Sequence, residues 1–258
     1  MSGSNPLTVP ECSTIPSLLE EVRAGNMRAI SRAITLLETN GPERKAILEG
    51  LEPFSGHACI IGITGYPGAG KSTVIDQLIT AYRSQGKKVG VLAVDISSSL
   101  TGGAILGDRI RMQHHSLDDR VYIRSMGTRG HRGGLALATQ DAIRVLDAAG
   151  FDVVLIETIG MGQEEGEIAQ IAQTVVDVVA PGLGDDVQAM KAGILEVAHI
   201  VIVNKADHQG ARETLQSLGE WVPQVLLVIA TTGEGIQSLM EAITVHQETL
   251  DLEAPVSG

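Results

Sequence analysis

Gly65-Tyr66-Pro67-Gly68-Ala69-Gly70-Lys71-Ser72 is the stretch whose reading decides the architecture. It follows a short apolar run, residues 59–63, and opens a segment, 72–84, with apolar residues at helical spacing. A glycine, four residues and then Gly-Lys-Ser is the pattern of a loop whose backbone N–H groups turn toward phosphate oxygens. Gly65, Gly68 and Gly70 permit conformations and close approaches that a Cβ would obstruct. Lys71 can reach β- and γ-phosphate oxygens, the Ser72 hydroxyl suits Mg²⁺, and the helix start adds the positive end of its dipole. Ala69 and Thr73 complete the candidate cradle. A glycine-rich turn before a helix is the plainer alternative. The full motif between a strand and a helix favours the nucleotide.

Outward from this loop, apolar runs recur at 89–94, 121–124, 153–156, 175–179, Ile200–Val203 and 225–229. Continuous apolar runs suit strands buried on both faces of a parallel sheet. Helical patterns at 135–148, 186–197 and 236–246 lie between or after them. The expectation is an α/β fold with a doubly wound, mostly parallel sheet and a ligand at the carboxyl ends of the strands. Before residue 52 the pattern is helical: Leu18, Leu19 and Val22 form one stripe and Met27, Ile30, Ile34 and Leu37 another, separated by Gly25-Asn26. Gly41-Pro42 is expected to end the second helix. The expected organisation is a helical extension over 1–52, a nucleotide domain over 53–249 and a frayed tail over 250–258.

The composition limits the alternatives. A chain of 258 residues with 43% hydrophobic residues can build a sizeable core, and only 2% are aromatic. That leaves little material for a base-stacking nucleic-acid surface, and a net charge of −12 repels a phosphate backbone. Nucleic acid and membrane are not expected partners. Cys12 and Cys59 are the only cysteines, with no disulfide framework or cysteine metal site implied. A reducing, cytoplasmic setting is the expectation.

Two further motifs stand at strand tips. The run 151–157 ends a strand in Glu157, where a carboxylate can hold Mg²⁺ directly or through water, and the Gly160 N–H can meet a γ-phosphate. Asp95 also ends an apolar run and is a second metal-side candidate. Asn204-Lys205-Ala206-Asp207 follows the strand Ile200–Val203. A carboxylate at Asp207 accepts hydrogen bonds from guanine N1–H and the N2 amine, which adenine cannot offer. The Lys205 stem can cover the base and Asn204 can tie this loop to its neighbours. Ala230 and Thr231, after the last strand, occupy the place of a second base-contacting loop. Met161 stands where small Ras-like GTPases carry a water-positioning glutamine, so slow hydrolysis is expected.

With these residues in hand, the chain resembles the methylmalonyl-CoA mutase-associated GTPase family, also called MeaB/ArgK, over about residues 15–246. Its most specific stretch is Thr101-Gly102-Gly103-Ala104-Ile105-Leu106-Gly107-Asp108-Arg109-Ile110-Arg111-Met112. Further matches are Ile123-Arg124-Ser125-Met126 and Pro181-Gly182-Leu183-Gly184-Asp185-Asp186-Val187-Gln188. The resemblance implies a P-loop GTPase that uses GTP, GDP and Mg²⁺. It implies a chaperone that couples hydrolysis to adenosylcobalamin loading, removal or protection on a cobalamin-dependent acyl-CoA mutase. It places Asp95 and Asp108 in a first switch, Glu157 in a second, and Asp185, Gln188 and Lys191 in a further switch that senses the mutase. Read from the residues alone, those last three are an ordinary helix start with a solvated face.

Ile96, Ser99 and Glu164 depart from the family pattern, and Asp177 interrupts a strand that is usually apolar. The family's basic C-terminal arm is not matched, so any homodimer is expected to form without it. A nickel-delivery metallochaperone GTPase, which would need a Cys or His cluster, and a GTP-dependent kinase or adaptor are the alternative functions.

Overall fold

A computed structural model describes residues 14–39, 41–95, 115, 117–127, 134–158, 164–182, 197–219, 222 and 224–253. Seven apolar segments form one sheet: β1 (Cys59–Thr64), β2 (Val89–Asp95), β3 (Val121–Gly127), β4 (Val153–Thr158), β5 (Thr174–Val179), β6 (Ile200–Val203) and β7 (Val225–Leu227). Their order is β3-β2-β4-β1-β5-β6-β7, with every strand pair parallel. The chain winds outward from β1 in one direction, returns through β4, then leaves in the other through β5. Parallel strands on either side of such a reversal open a crevice at their carboxyl ends.

Period-two alternation divides the side chains between two faces. Ile60, Leu92, Val154, Ile156 and Val175 point toward helices α1 (Ile15–Arg23), α2 (Met27–Glu38), α3 (Glu43–Leu51), α5 (Gly134–Ala148) and α6 (Glu164–Ile171). Ile61, Ile63, Val91, Leu155, Val176 and Ile202 face α4 (Lys71–Ser84) and α8 (Ile236–Glu253). Val201 and Val203 are covered by α7 (Ala211–Gly219). Each fully buried Ile, Leu or Val contributes about 1.5–3 kcal/mol of transfer free energy, which is why uninterrupted apolar runs settle in the middle layer.

The amino-terminal segment departs from the two-helix expectation. α2 ends at Glu38, ahead of Gly41-Pro42 as expected, but Pro42 also stands as the N-cap of a third helix, α3, because a residue with no N–H and a fixed φ is compatible with a helix start. Asn26 caps α2 by accepting the N–H groups of Arg28 and Ala29 at 2.9 and 3.2 Å. The three helices share one core with α5. Polar ties add direction: Arg44 grips Asp141 through two bonds of 2.8 and 3.0 Å, and Arg124 donates to Glu38 at 2.8 Å. The buried Asp147 carboxylate accepts the N–H groups of Gly56, His57 and Ala58, which sets the entry into β1.

Other boundaries also move. Helices α6 and α7 were not expected from the sequence, β7 stops at Leu227, and Ile229 forms an isolated antiparallel bridge with Glu234. The last helix runs to Glu253, past the expected onset of fraying at Thr249. The expected helix over 186–197 lies almost wholly outside the described residues; Val197 is a turn. No helix among the described residues is long and apolar enough to cross a membrane.

At the amino ends of β5 and β6, two imidazoles meet with ring centroids 4.3 Å apart. His199 Nδ1 accepts the Val175 N–H at 2.9 Å, and His246 Nδ1 lies 2.9 Å from Thr174 Oγ1. Burial, followed by the neighbouring His246, lowers the pKa of His199. Its neutral form is therefore favoured by folding, and the contribution is fully present above pH about 6.5 and lost as the pH falls below it. His199→Gln keeps an acceptor for Val175 but cannot titrate. The variant should show a shallower loss of thermal midpoint between pH 7 and 5 than the native protein, and equal slopes would contradict this account.

Candidate nucleotide site

The phosphate loop leaves β1 at Thr64 and turns within a narrow space. Gly65 has φ 129°, and a Cβ there would stand 2.1 Å from the Val178 carbonyl oxygen on β5. Gly70 has φ 100°, and its Cβ would meet the Asn204 amide nitrogen at 2.3 Å. Only glycine suits either position. The Ala69 N–H closes the turn on the Tyr66 carbonyl at 3.1 Å, and α4 starts immediately afterwards. Lys71 is 8% exposed and donates through Nζ to the carbonyls of Gly65 at 2.7 Å and Tyr66 at 3.2 Å. The cation is thus folded over the loop it belongs to, beside the dipole end of α4. Thr73, two residues further, is half-buried in the first turn.

Ser72 Oγ donates to Glu157 Oε1 at 2.7 Å, joining α4 to β4. Glu157 is 6% exposed and sits between Ile63 of β1 and Ala93 of β2 in register. Asp95 ends β2, one residue beyond the pairing of Val94 with Thr158, so its backbone stands at the same carboxyl edge. A hydroxyl and a carboxylate held together at this edge are oxygen donors of the kind Mg²⁺ takes, so the residues present fit that ion.

The base-side loop docks on the phosphate loop. Asn204 is buried, donates through Nδ2 to the Ala69 carbonyl at 2.8 Å and accepts the Ala230 N–H at 3.1 Å. One amide therefore links three loops. Lys205 holds φ 58°, a left-handed conformation uncommon for a non-glycine residue, and its Nζ donates to the Gly68 carbonyl at 2.8 Å. Ala230 is buried and Thr231 exposed. The side chain of Asp207 is 53% exposed, with His208 Nε2 at 3.8 Å.

Direct hydrogen bonds thus join the phosphate loop to Glu157, Asn204 and Lys205, and Asn204 carries the connection on to Ala230. Asp207 and Thr231 lie on the same two loops as Asn204 and Ala230. Asp108, Gly160, Asp185, Gln188 and Lys191 lie outside the described residues, as does the side chain of Asp95. Two hydroxyls were missed by sequence reasoning: Thr158 Oγ1 donates to Thr64 Oγ1 at 3.2 Å beneath the loop. Each is a polar residue closing an apolar run, which is the signal that would have found them. Asp177, fully buried, pairs with Thr64 in register.

A parallel α/β sheet whose first strand passes through this glycine loop into a helix, with an Asn-Lys-x-Asp loop docked on it, defines a P-loop GTPase. Residues 30–256 match a family model described as Methylmalonyl Co-A mutase-associated GTPase MeaB. The chain belongs to that family, as the sequence resemblance implies, and is a GTPase. A Pyrococcus horikoshii chain provisionally designated a GTPase is 49% identical, covering 92% of this chain and 79% of its own length. A mouse protein named methylmalonic aciduria type A homolog, mitochondrial, is 36% identical over 74% of this chain and 49% of its own. The crystal structure of a LAO/AO transport system kinase superposes with TM-score 0.74 at 27% identity, over 96% of this chain and 79% of that one.

Proposed function

We propose that this GTPase is a cytoplasmic chaperone of a cobalamin-dependent acyl-CoA mutase, coupling GTP binding and hydrolysis to adenosylcobalamin loading, removal or protection. The observation that carries this reading is the match of residues 30–256 to a family described as mutase-associated. The name of the mouse relative, which refers to methylmalonic aciduria, supports it.

In this reading Lys71 exchanges the Gly65 and Tyr66 carbonyls for β- and γ-phosphate oxygens, trading neutral acceptors for charged ones. The loop amides from Gly65 to Thr73 hold the phosphates. Ser72 and Glu157, with Asp95 and Asp108, are the residues that would hold Mg²⁺, which when bound supplies positive charge to the β- and γ-phosphate oxygens. Gly160 meets the γ-phosphate. Asn204 keeps the base loop against the phosphate loop, the Lys205 stem covers the base, Asp207 selects guanine, and Ala230 and Thr231 border its far edge. Asp185, Gln188 and Lys191 form the segment that senses the mutase.

Single-turnover GTP hydrolysis with and without the cognate mutase tests this function. The expected result is slow hydrolysis alone and about tenfold stimulation by the mutase, within the usual range of coupling between sites. Lys191→Ala should keep GTP affinity and mutase binding but lose the stimulation. Equal rates with and without the mutase would remove the coupled function, and undiminished stimulation of Lys191→Ala would remove that segment from it.

A further inference from the structure

Strand β4 ends in two polar side chains, and the alternation of a strand sends them to opposite faces of the sheet. Glu157 lies on the α4 face, where its Oε1 accepts the Ser72 hydroxyl at 2.7 Å. Thr158 lies on the other face, in line with Ile156, which shares a core with Ile168 of α6. There its Oγ1 donates to Oγ1 of Thr64, the last residue of β1, at 3.2 Å. The end of β4 is thus bonded once on each face: to the helix that follows the phosphate loop and to the strand that precedes it.

Ser72 and Glu157 belong to the set that would hold Mg²⁺; the two threonines have no part in it. Thr158 is 3% exposed and Thr64 0%, so water does not stand in for a lost partner and the pair keeps a defined geometry. Both side chains are β-branched, which narrows χ1 further. The register of β1 with β4 runs from Cys59–Val153 to Ile63–Glu157, so the hydroxyl bond carries the pairing one residue beyond it. On one side of that bond comes Gly65, whose carbonyl accepts Lys71 Nζ at 2.7 Å. On the other, Gly160 follows after two residues, at most about 7 Å of chain.

We propose that Thr158 and Thr64 are positioning residues for GTP hydrolysis: their buried hydroxyl bond fixes the direction in which the chain leaves β4 toward the γ-phosphate, with the phosphate loop as its reference. This rests on the reading of Gly160 given above. Phosphoryl transfer depends on the placement of groups around the γ-phosphate, and small misplacements slow it steeply. GDP carries no γ-phosphate and is held by the loop amides, Lys71 and the base loop. Loss of the hydroxyl bond therefore acts on turnover and spares GDP. Thr64 is also in register with the buried Asp177 of β5, so Thr158 is the first residue to alter.

The test is single-turnover GTP hydrolysis by the full chain in excess Mg²⁺, beside titration with a fluorescent GDP. Thr158→Val keeps the branched shape and loses the hydroxyl. It should hydrolyse bound GTP about tenfold more slowly than the native protein, with GDP affinity within about twofold. Thr158→Ser, which restores the hydroxyl, should return the rate to within about twofold of native. Thr64→Val should match Thr158→Val, and the double variant should be no slower than either, because both substitutions remove the same bond. A native rate in Thr158→Val, equal slowing by Ser and Val, rate and GDP affinity falling together, or multiplied effects in the double variant each overturn the proposal, whatever the thermal midpoint does. Should Thr158→Val not fold, Thr64→Val is read by the same ratio of rate to affinity. Gly160→Ala separates the two readings. If it hydrolyses GTP at the native rate, the role of Gly160 falls and takes this inference with it. A slow Gly160→Ala beside a native-rate Thr158→Val sinks this inference alone.

Discussion

Asp207→Asn is expected to lower GTP affinity by about 10²- to 10³-fold and to let xanthosine triphosphate compete where the native protein excludes it. The loop is fixed before the base arrives: Asn204 is bonded to Ala69 and Ala230, and Lys205 is held in its left-handed conformation against Gly68. Asp207 follows on that rigid support. A carboxylate there accepts two guanine N–H donors, and an amide substituted for it turns one acceptor into a donor facing a donor. Two charge-assisted bonds are lost or mismatched, each worth about 1.5–3 kcal/mol. The same amide can donate to the O2 of xanthine, so the substitution changes preference as well as affinity. Because the Asp207 side chain is 53% exposed, the thermal midpoint without nucleotide should hardly move. Competition binding with both nucleotides reads the result directly, and undiminished GTP affinity would take Asp207 out of the base site.

Gly65→Ala should destabilise the nucleotide-free protein by about 3 kcal/mol or more and abolish GDP binding. Its Cβ would stand 2.1 Å from the Val178 carbonyl, a backbone atom in the centre of the sheet that cannot rotate away, and φ 129° adds strain for any L side chain. Relief requires the loop to leave β5, which moves the carbonyl that Lys71 uses and the path to α4. Gly68→Ala is the internal comparison. It shares a positive φ of 81°, but its Cβ would meet nothing within 4 Å, so only the backbone preference of roughly 1–2 kcal/mol is at stake. Urea unfolding and GDP titration of the two variants should separate clash from conformation. Equal stability of Gly65→Ala and native protein would show that the loop does not pass as close to β5 as described.

Sequence alone determined the features written in short-range patterns: where the apolar strands lie, that a glycine loop joins β1 to α4, and that a guanine-type motif follows β6. Periodicity and the conformational demands of glycine act over a few residues, so they are legible without a partner. The same locality explains the errors. Gly41-Pro42 follows the end of α2 at Glu38, as expected, but the local pattern does not say that Pro42 also opens α3, because the chemistry that ends one helix permits the next to begin. Helices α6 and α7 have short apolar stripes whose burial depends on Gly62, Val201 and Val203 beneath them. Tertiary structure decided the rest. It inserted β4 between β1 and β2, which brings Glu157 to Ser72 across 85 residues, and it set β6 so that Asn204 reaches Ala69 across 135. It also turned Asp76 and His115 toward one another. A hydrogen bond between distant residues carries no local signature, since either side chain alone would be satisfied by water. Only burial by the folded sheet makes that particular partner necessary.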